Sequence, residues 1–255
     1  MRDMLGGIEA EAVRDPQRSA GKGPELPKRF YASATSERTD KGHELRLDGR
    51  PARTPGRQPL AVTDREVGDA IAAEWLAQGE RIDPSTMPLT RMANSAIDGV
   101  APRMDAVRDD ILAYAGSDLL CYRADAPAGL VERQGAEWDP VLRRIEGEGA
   151  RFLLAEGIMP IEQPAATLDW FDRRLRQVGE PLRLTALHVA TTLTGSAALA
   201  LSVERGWLDA EAAWLAAHVD EDWNREQWGE DEIAASARAV RKRDYDAATF
   251  ILARP

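Results

Sequence analysis

Three groupings of side chains in this sequence have residue types and spacings that could do chemistry. His218, Glu221 and Asp222 stand at i, i+3 and i+4, which puts an imidazole and two carboxylates on neighbouring positions of a helix. A divalent cation could use such a set, and a metal-dependent hydrolase is the activity it would support. No HExxH pair, second nearby histidine or acidic calcium loop accompanies it, so a local ion pair is the commoner outcome. His188 could form a relay with Thr191, Thr192 or Ser196, but no nucleophile elbow surrounds them. Hydroxyls in a buried helix more often bond the carbonyl one turn back. Cys121, the only cysteine, lies in the apolar run Leu119-Leu120-Cys121-Tyr122-Arg123 and reads as a small core residue rather than a reactive thiol. A single cysteine rules out an internal disulfide and an all-cysteine metal site. Gly21-Lys22-Gly23 lacks the spacing of a phosphate loop, and no cofactor is expected.

Charge points elsewhere. The chain carries a formal net charge of −10, the opposite of a general nucleic-acid binder. Residues 28–65 run against that average, with nine basic and five acidic side chains. Arg46, Arg50, Arg53 and Arg57 flank a hairpin signal there; they could meet an acidic partner or simply discourage strand pairing at a sheet edge. The span 203–232 holds ten acidic and two basic residues, interleaved with Trp207, Trp214, Trp223 and Trp228. Acids beside exposed tryptophan suit protein recognition, since the ring supplies area and the charge steers a basic partner. Trp214 and His218 share a face, set against a core stripe of Leu208, Ala212, Leu215, Val219 and Trp223; the alternative is that the tryptophans are core and the acids only solubilise.

The elements that must position these residues follow from periodicity. The fold class is α+β: a small antiparallel β-rich N-terminal domain with flanking helices, then an all-helical C-terminal bundle. The expected division is a mobile tail over 1–26, a mixed domain over 27–126 and a helical domain over 127–255. Phe30-Tyr31-Ala32, residues 43–47 and a stretch ending at Val62 read as strands, with an Asp48-Gly49 hairpin turn. Thr63 and Glu66 fit a capping box opening a helix to about Gln78. Helices are expected over 89–97 and from Pro102 to Tyr114, with residues 119–123 returning to the sheet as a strand. Further helices are expected over 135–156, 167–178, 182–204, 208–224 and 231–250. The span 182–204, apolar or small nearly all round, reads as one central buried helix whose Gly195-Ser196 pair allows close packing. No run of about 18 apolar residues could cross a membrane. The N-terminus shows neither a secretory core nor a transit-peptide composition, so a bacterial cytoplasm is expected ahead of a mitochondrial matrix.

Several strings in a fixed order carry a resemblance. They are Arg29-Phe30-Tyr31, Leu47-Asp48-Gly49-Arg50, Arg53-Thr54-Pro55, Glu74-Trp75, Met87-Pro88-Leu89-Thr90 and Asn94-Ser95-Ala96-Ile97-Asp98. Tyr114, Asp118, Leu120-Cys121-Tyr122-Arg123, Trp138-Asp139-Pro140, Gly195-Ser196 and Trp228-Gly229-Glu230-Asp231-Glu232 complete them. Over residues 28–250 the chain resembles the assembly chaperone of the ATP synthase catalytic head that handles the α subunit. The resemblance implies a non-enzymatic protein, a monomer when free, that binds the unassembled α subunit and shields its β-facing surface. It implies a role for an acid after the Trp-Gly pair, which falls on Glu232, with Asp231 and Glu230 beside it. An aromatic residue often follows that acid; here it is Ile233. The expected contact set is Glu232, Asp231, Glu230, Trp228, Trp214, Glu221 and Asp222, with no metal, nucleic acid or membrane involved.

Overall fold

Asp48 and Gly49 take positive φ values of 48° and 76°, the mirror-image turn that matches strand twist, and this two-residue turn sets the sheet. In the computed structural model, which describes residues 25–156 and 161–254, β1 is Ala34–Thr39 and β2 is Gly42–Leu47. They pair antiparallel with Ala34 opposite Leu47 and Thr39 opposite Gly42. β3, Arg50–Pro51, and β4, Ala61–Val62, both pair antiparallel with β2. Most of the expected tail over 1–26 lies outside the described residues.

Residues 30–32 do not form the expected strand. The Arg29 guanidinium takes the carbonyls of Tyr31 and Ala32, and the Asp48 carboxylate takes the Ala32 and Ser33 N–H groups. Side chains thus hold the backbone groups that a ladder would need. Helix α1, Arg65–Leu76, is capped one residue later than expected: Asp64, not Thr63, accepts the Val67 N–H, while the Thr63 hydroxyl bonds Glu180. α1 lies across the sheet at Gly68, where a Cβ would fall 2.6 Å from the Ser36 hydroxyl and 2.8 Å from the His43 Cβ. Helix α2, Pro88–Ser95, runs into a π turn over Ala96–Val100 and a 3-10 turn over Ala101–Arg103 before α3, Met104–Gly116.

Residues 119–123 do not return to the sheet. Leu119–Cys121 is a 3-10 turn, and β5, Tyr122–Arg123, pairs parallel with β6, Ala155–Glu156, in a separate two-stranded ladder. Helix α4 is Ala128–Gly147, starting and ending earlier than expected; Gly149 at φ 103° turns the chain away behind it. Helix α5 is Ala165–Gln177.

The expected single helix over 182–204 is two. α6, Pro181–Thr194, stops where Gly195 enters the left-handed region at φ 67°, and α7, Ala197–Glu204, starts with Ser196 capping the Leu199 N–H. Apolar periodicity continues across the break, which hid it. The helix expected over 208–224 also divides, at His218, into α8, Ala210–Ala217, and α9, Val219–Trp228. Helix α10, Glu232–Leu252, closes the described chain. α6 packs against α10, α3 and α7, so the apolar stretch is central as expected. Trp138, Phe171, Leu187, Leu199 and Ala248 are fully buried in a core that also reaches β2 through Leu45.

Candidate partner-binding surface

Carboxylates, fully buried at Asp118 and half-buried at Glu74 and Asp98, join the strings that the sequence kept apart. Glu74 on α1 caps α2, accepting the Leu89 N–H at 2.7 Å, the Thr90 N–H at 2.8 Å and the Thr90 hydroxyl at 2.7 Å. Asp98 takes the Thr54 hydroxyl and the Gly56 N–H, both at 2.7 Å. Asp118 takes the Ser196 hydroxyl at 2.7 Å and the Ala198 N–H at 2.9 Å, closing the start of α7 onto the end of α3. Arg123 pairs with Asp139 at 2.9 Å and lies over the Trp138 ring, whose N–H reaches the Ala216 carbonyl. These residues are structural joints, so they leave recognition to the exposed groups.

Trp228 and Ile233 stand out among the exposed groups. Trp228 ends α9 at 85% exposure, and Ile233, in the first turn of α10, is 71% exposed. Between them Gly229 adopts φ 90°, and the Asp231 carboxylate caps α10 through the Ile233 and Ala234 N–H groups at 2.7 and 3.1 Å. Glu232 sits in the first turn of α10, where the helix dipole favours an acid, and forms no ion pair among the described residues. Arg225 reaches Glu230 at 3.9 Å and Asp222 at 3.2 Å. A cleft of about 230 Å³ opens beside the turn, walled by Trp228, Ala234 and Ala235 and rimmed by Arg225, Arg238 and Glu230. The corner therefore exposes two large apolar groups on a capped turn with acids at its edge.

Asp222 lies beneath that corner, and Glu221 lines its cleft. Asp222 is buried and bonded to Arg238, while Glu221 pairs with Arg241 at 2.8 Å and Arg238 at 3.6 Å. His218 approaches Glu221 only at 3.7 Å, and burial pushes its pKa below the usual imidazole value. Guanidinium groups occupy the carboxylates that a cation would have used, and among the described residues no cluster of three or more His, Cys, Asp or Glu could hold a metal. The hydroxyls of Thr191 and Thr192 bond carbonyls of their own helix. Cys121 is buried, and burial with the nearby Asp118 raises its thiol pKa well above the ordinary range.

The expected exposed face of Trp214 and His218 is corrected. Trp214 is 3% exposed, its ring centroid 3.9 Å from His218 and 5.0 Å from Tyr245. The break at His218 ends α8 early, and Ala213, Trp214 and Ala216 face inward while Leu215 points to solvent. Trp223 is half-buried against Gly129, and Trp207 packs under Arg144. Only Trp228 keeps the exposure expected of a recognition tryptophan. Of the hairpin arginines, Arg46 is held by Glu37 at 2.7 Å and Glu44 at 3.1 Å, and Arg53 bonds the Arg57 carbonyl. Ile233 was not read as a contact residue; its signal is an apolar side chain out of phase with the α10 stripe of Tyr245, Ala248 and Leu252.

Residues 28–146 match the ATP12 chaperone protein family. The structure is similar to Atp12 from Paracoccus denitrificans, with a TM-score of 0.81 and 42% identity over 89% of this chain and 99% of that one. A lysine-for-aspartate variant of the Paracoccus protein gives 0.82 and 41% over 89% and 98%. A candidate chaperone from Agrobacterium tumefaciens gives 0.86 and 46% over 99% and 96%. At such identity over nearly the full length of these relatives, this chain belongs to the ATP12 chaperone family.

Proposed function

We propose that this chain is an ATP synthase assembly chaperone that binds the unassembled α subunit and shields the surface destined for the β subunit. The observation that carries the reading is the turn from Trp228 to Ile233, which exposes two large apolar side chains at a capped helix start among Glu230, Asp231 and Glu232, in a member of a chaperone family. A free subunit exposes an apolar interface that would otherwise aggregate. Covering it reversibly calls for a small apolar centre with a wet, charged rim, which limits affinity and permits release. Exchange for the true partner then needs only a difference in affinity, with no nucleotide and no covalent step. In this reading Trp228, Glu230, Asp231 and Glu232 touch the partner. Glu221 and Asp222 fix α9 against α10 through Arg241 and Arg238, and Trp214 packs α8 against α10 at Tyr245. The bacterial cytoplasm is the compartment this role assigns, and no helix among the described residues is long and apolar enough to cross a membrane.

The test is to dilute the denatured α subunit into buffer with and without this chain at matched salt. Light scattering falls, and the two chains co-elute from a sizing column. Equal scattering with and without the chaperone rejects the proposal.

A further inference from the structure

In the string Arg29-Phe30-Tyr31 the outer residues hold the fold and the middle one does not. The Arg29 guanidinium donates to the carbonyls of Tyr31 at 3.0 Å, Ala32 at 3.2 Å and Leu76 at 3.4 Å, and also to that of Gln78. Tyr31 is buried, and its hydroxyl donates to the Trp75 carbonyl at 2.8 Å. Phe30, between them, is 73% exposed. Its backbone cannot retreat: the Arg29 N–H bonds Glu80 at 2.9 Å, and the Ala32 N–H bonds Asp48 at 3.0 Å. Its ring stands edge-on to Tyr31 at 5.4 Å. An aromatic presented this rigidly loses little conformational freedom when a partner covers it.

The surroundings define the partner's chemistry. Leu26 and Leu76 are also exposed, and a cavity of about 500 Å³ is lined by Lys28, Arg29, Tyr31, Gly79, Glu80 and Arg81. Glu25 answers Arg81, whereas the hydrogen bonds of Arg29 among the described residues go to neutral carbonyls and Asp48 meets its charge only through space. Among the described residues Lys28 forms no ion pair, and Glu80 is the one acid in the lining. The wall is therefore short of negative charge, inside a stretch with nine basic and five acidic residues. Lys28 bridges Arg81 through bonds made by its neighbours, Ile82 N–H to Pro27 and Arg29 N–H to Glu80. That geometry directs the Lys28 N–H and C=O away from Arg81, where an extended chain could pair with them.

We propose that this face is a second docking surface, for an extended acidic protein segment that packs an apolar side chain on Phe30 and sets a carboxylate against Lys28 and Arg29. A polypeptide fits better than a nucleic acid, because the −10 charge of the whole chain repels a polyanion while Phe30 and Leu76 reward apolar contact. The surface is independent of the Trp228 corner and of the function assigned to it.

Fluorescence anisotropy with the full chain tests this. The probes are a labelled peptide, acetyl-Gly-Glu-Leu-Glu-Phe-Glu-Gly-amide, and its counterpart with lysine in place of each glutamate. The acidic peptide saturates, and the lysine peptide binds at least about tenfold more weakly. Phe30→Ser and Lys28→Glu each weaken the acidic peptide at least about tenfold, at unchanged melting temperature, and Trp228→Ser leaves it unchanged. Both altered side chains are exposed, so the fold does not depend on them. Equal binding of the two peptides, unchanged affinity in either N-terminal variant, or no saturation at millimolar peptide overturns the proposal.

Discussion

Asp118 is fully buried and sits where α3, the 3-10 turn and α7 meet. The Leu120 N–H, the Ser196 hydroxyl and the Ala198 N–H donate to it, and the Ala197 N–H adds to them. Hydrogen bonds favour the charged carboxylate, but burial opposes it more strongly and pushes the pKa up to about 6 from 3.8. The native state therefore holds a proton that the unfolded state has already released across that interval. The stability this group contributes is full below the unfolded value and is lost as pH rises through about 6. Asp118→Asn turns an amide N–H₂ toward a backbone donor and costs roughly 1–3 kcal/mol. Urea unfolding should show that cost to be larger near pH 4 than near pH 7, because the wild-type advantage shrinks as the carboxyl ionises. A cost that grows with pH would mean the carboxylate is the stabilising form.

At the scale of elements, how much was legible depended on whether one side of a helix was polar. α1, α2, α3 and α5 have such a side, and their periods and starts were readable within a few residues. Residues 182–204 have none, so the left-handed Gly195 and the capping Ser196 disappeared into a continuous apolar pattern. The same failure at His218 turned Trp214 from an expected contact residue into a core residue. In contrast, the start of α10 was legible: the helix expected from residue 231 begins at Glu232, with Asp231 as its cap. Gly68 belongs to the illegible class: nothing in its neighbours announces that α1 touches β1 and β2 there. Gly68→Leu gains about 0.8 kcal/mol of helix propensity. Its side chain must displace the His43 Cβ, which cannot rotate away, and overpacking of this kind costs roughly 1–3 kcal/mol. Urea unfolding should show a net loss; a gain would mean that α1 slides freely on the sheet.

Across the whole molecule the charge is polar, with a basic excess over residues 28–65 and ten acids against two bases over 203–232. Such an arrangement orients an approaching partner before contact, and salt screens it over about 8 Å at physiological ionic strength. At the Trp228 corner the two kinds of residue should separate kinetically. Glu232 is exposed and unpaired among the described residues, so it steers; Trp228 is the apolar anchor, so it retains. With the α subunit immobilised, Glu232→Lys should lower the association rate and flatten its salt dependence, leaving dissociation nearly unchanged. Trp228→Ser should raise the dissociation rate about tenfold or more and leave the salt dependence intact. Neither side chain is in the core, so both variants should melt with the wild type. If Glu232→Lys instead accelerates dissociation without slowing association, the acid makes a close, desolvated contact and the corner is read deeper in the interface than its exposure implies.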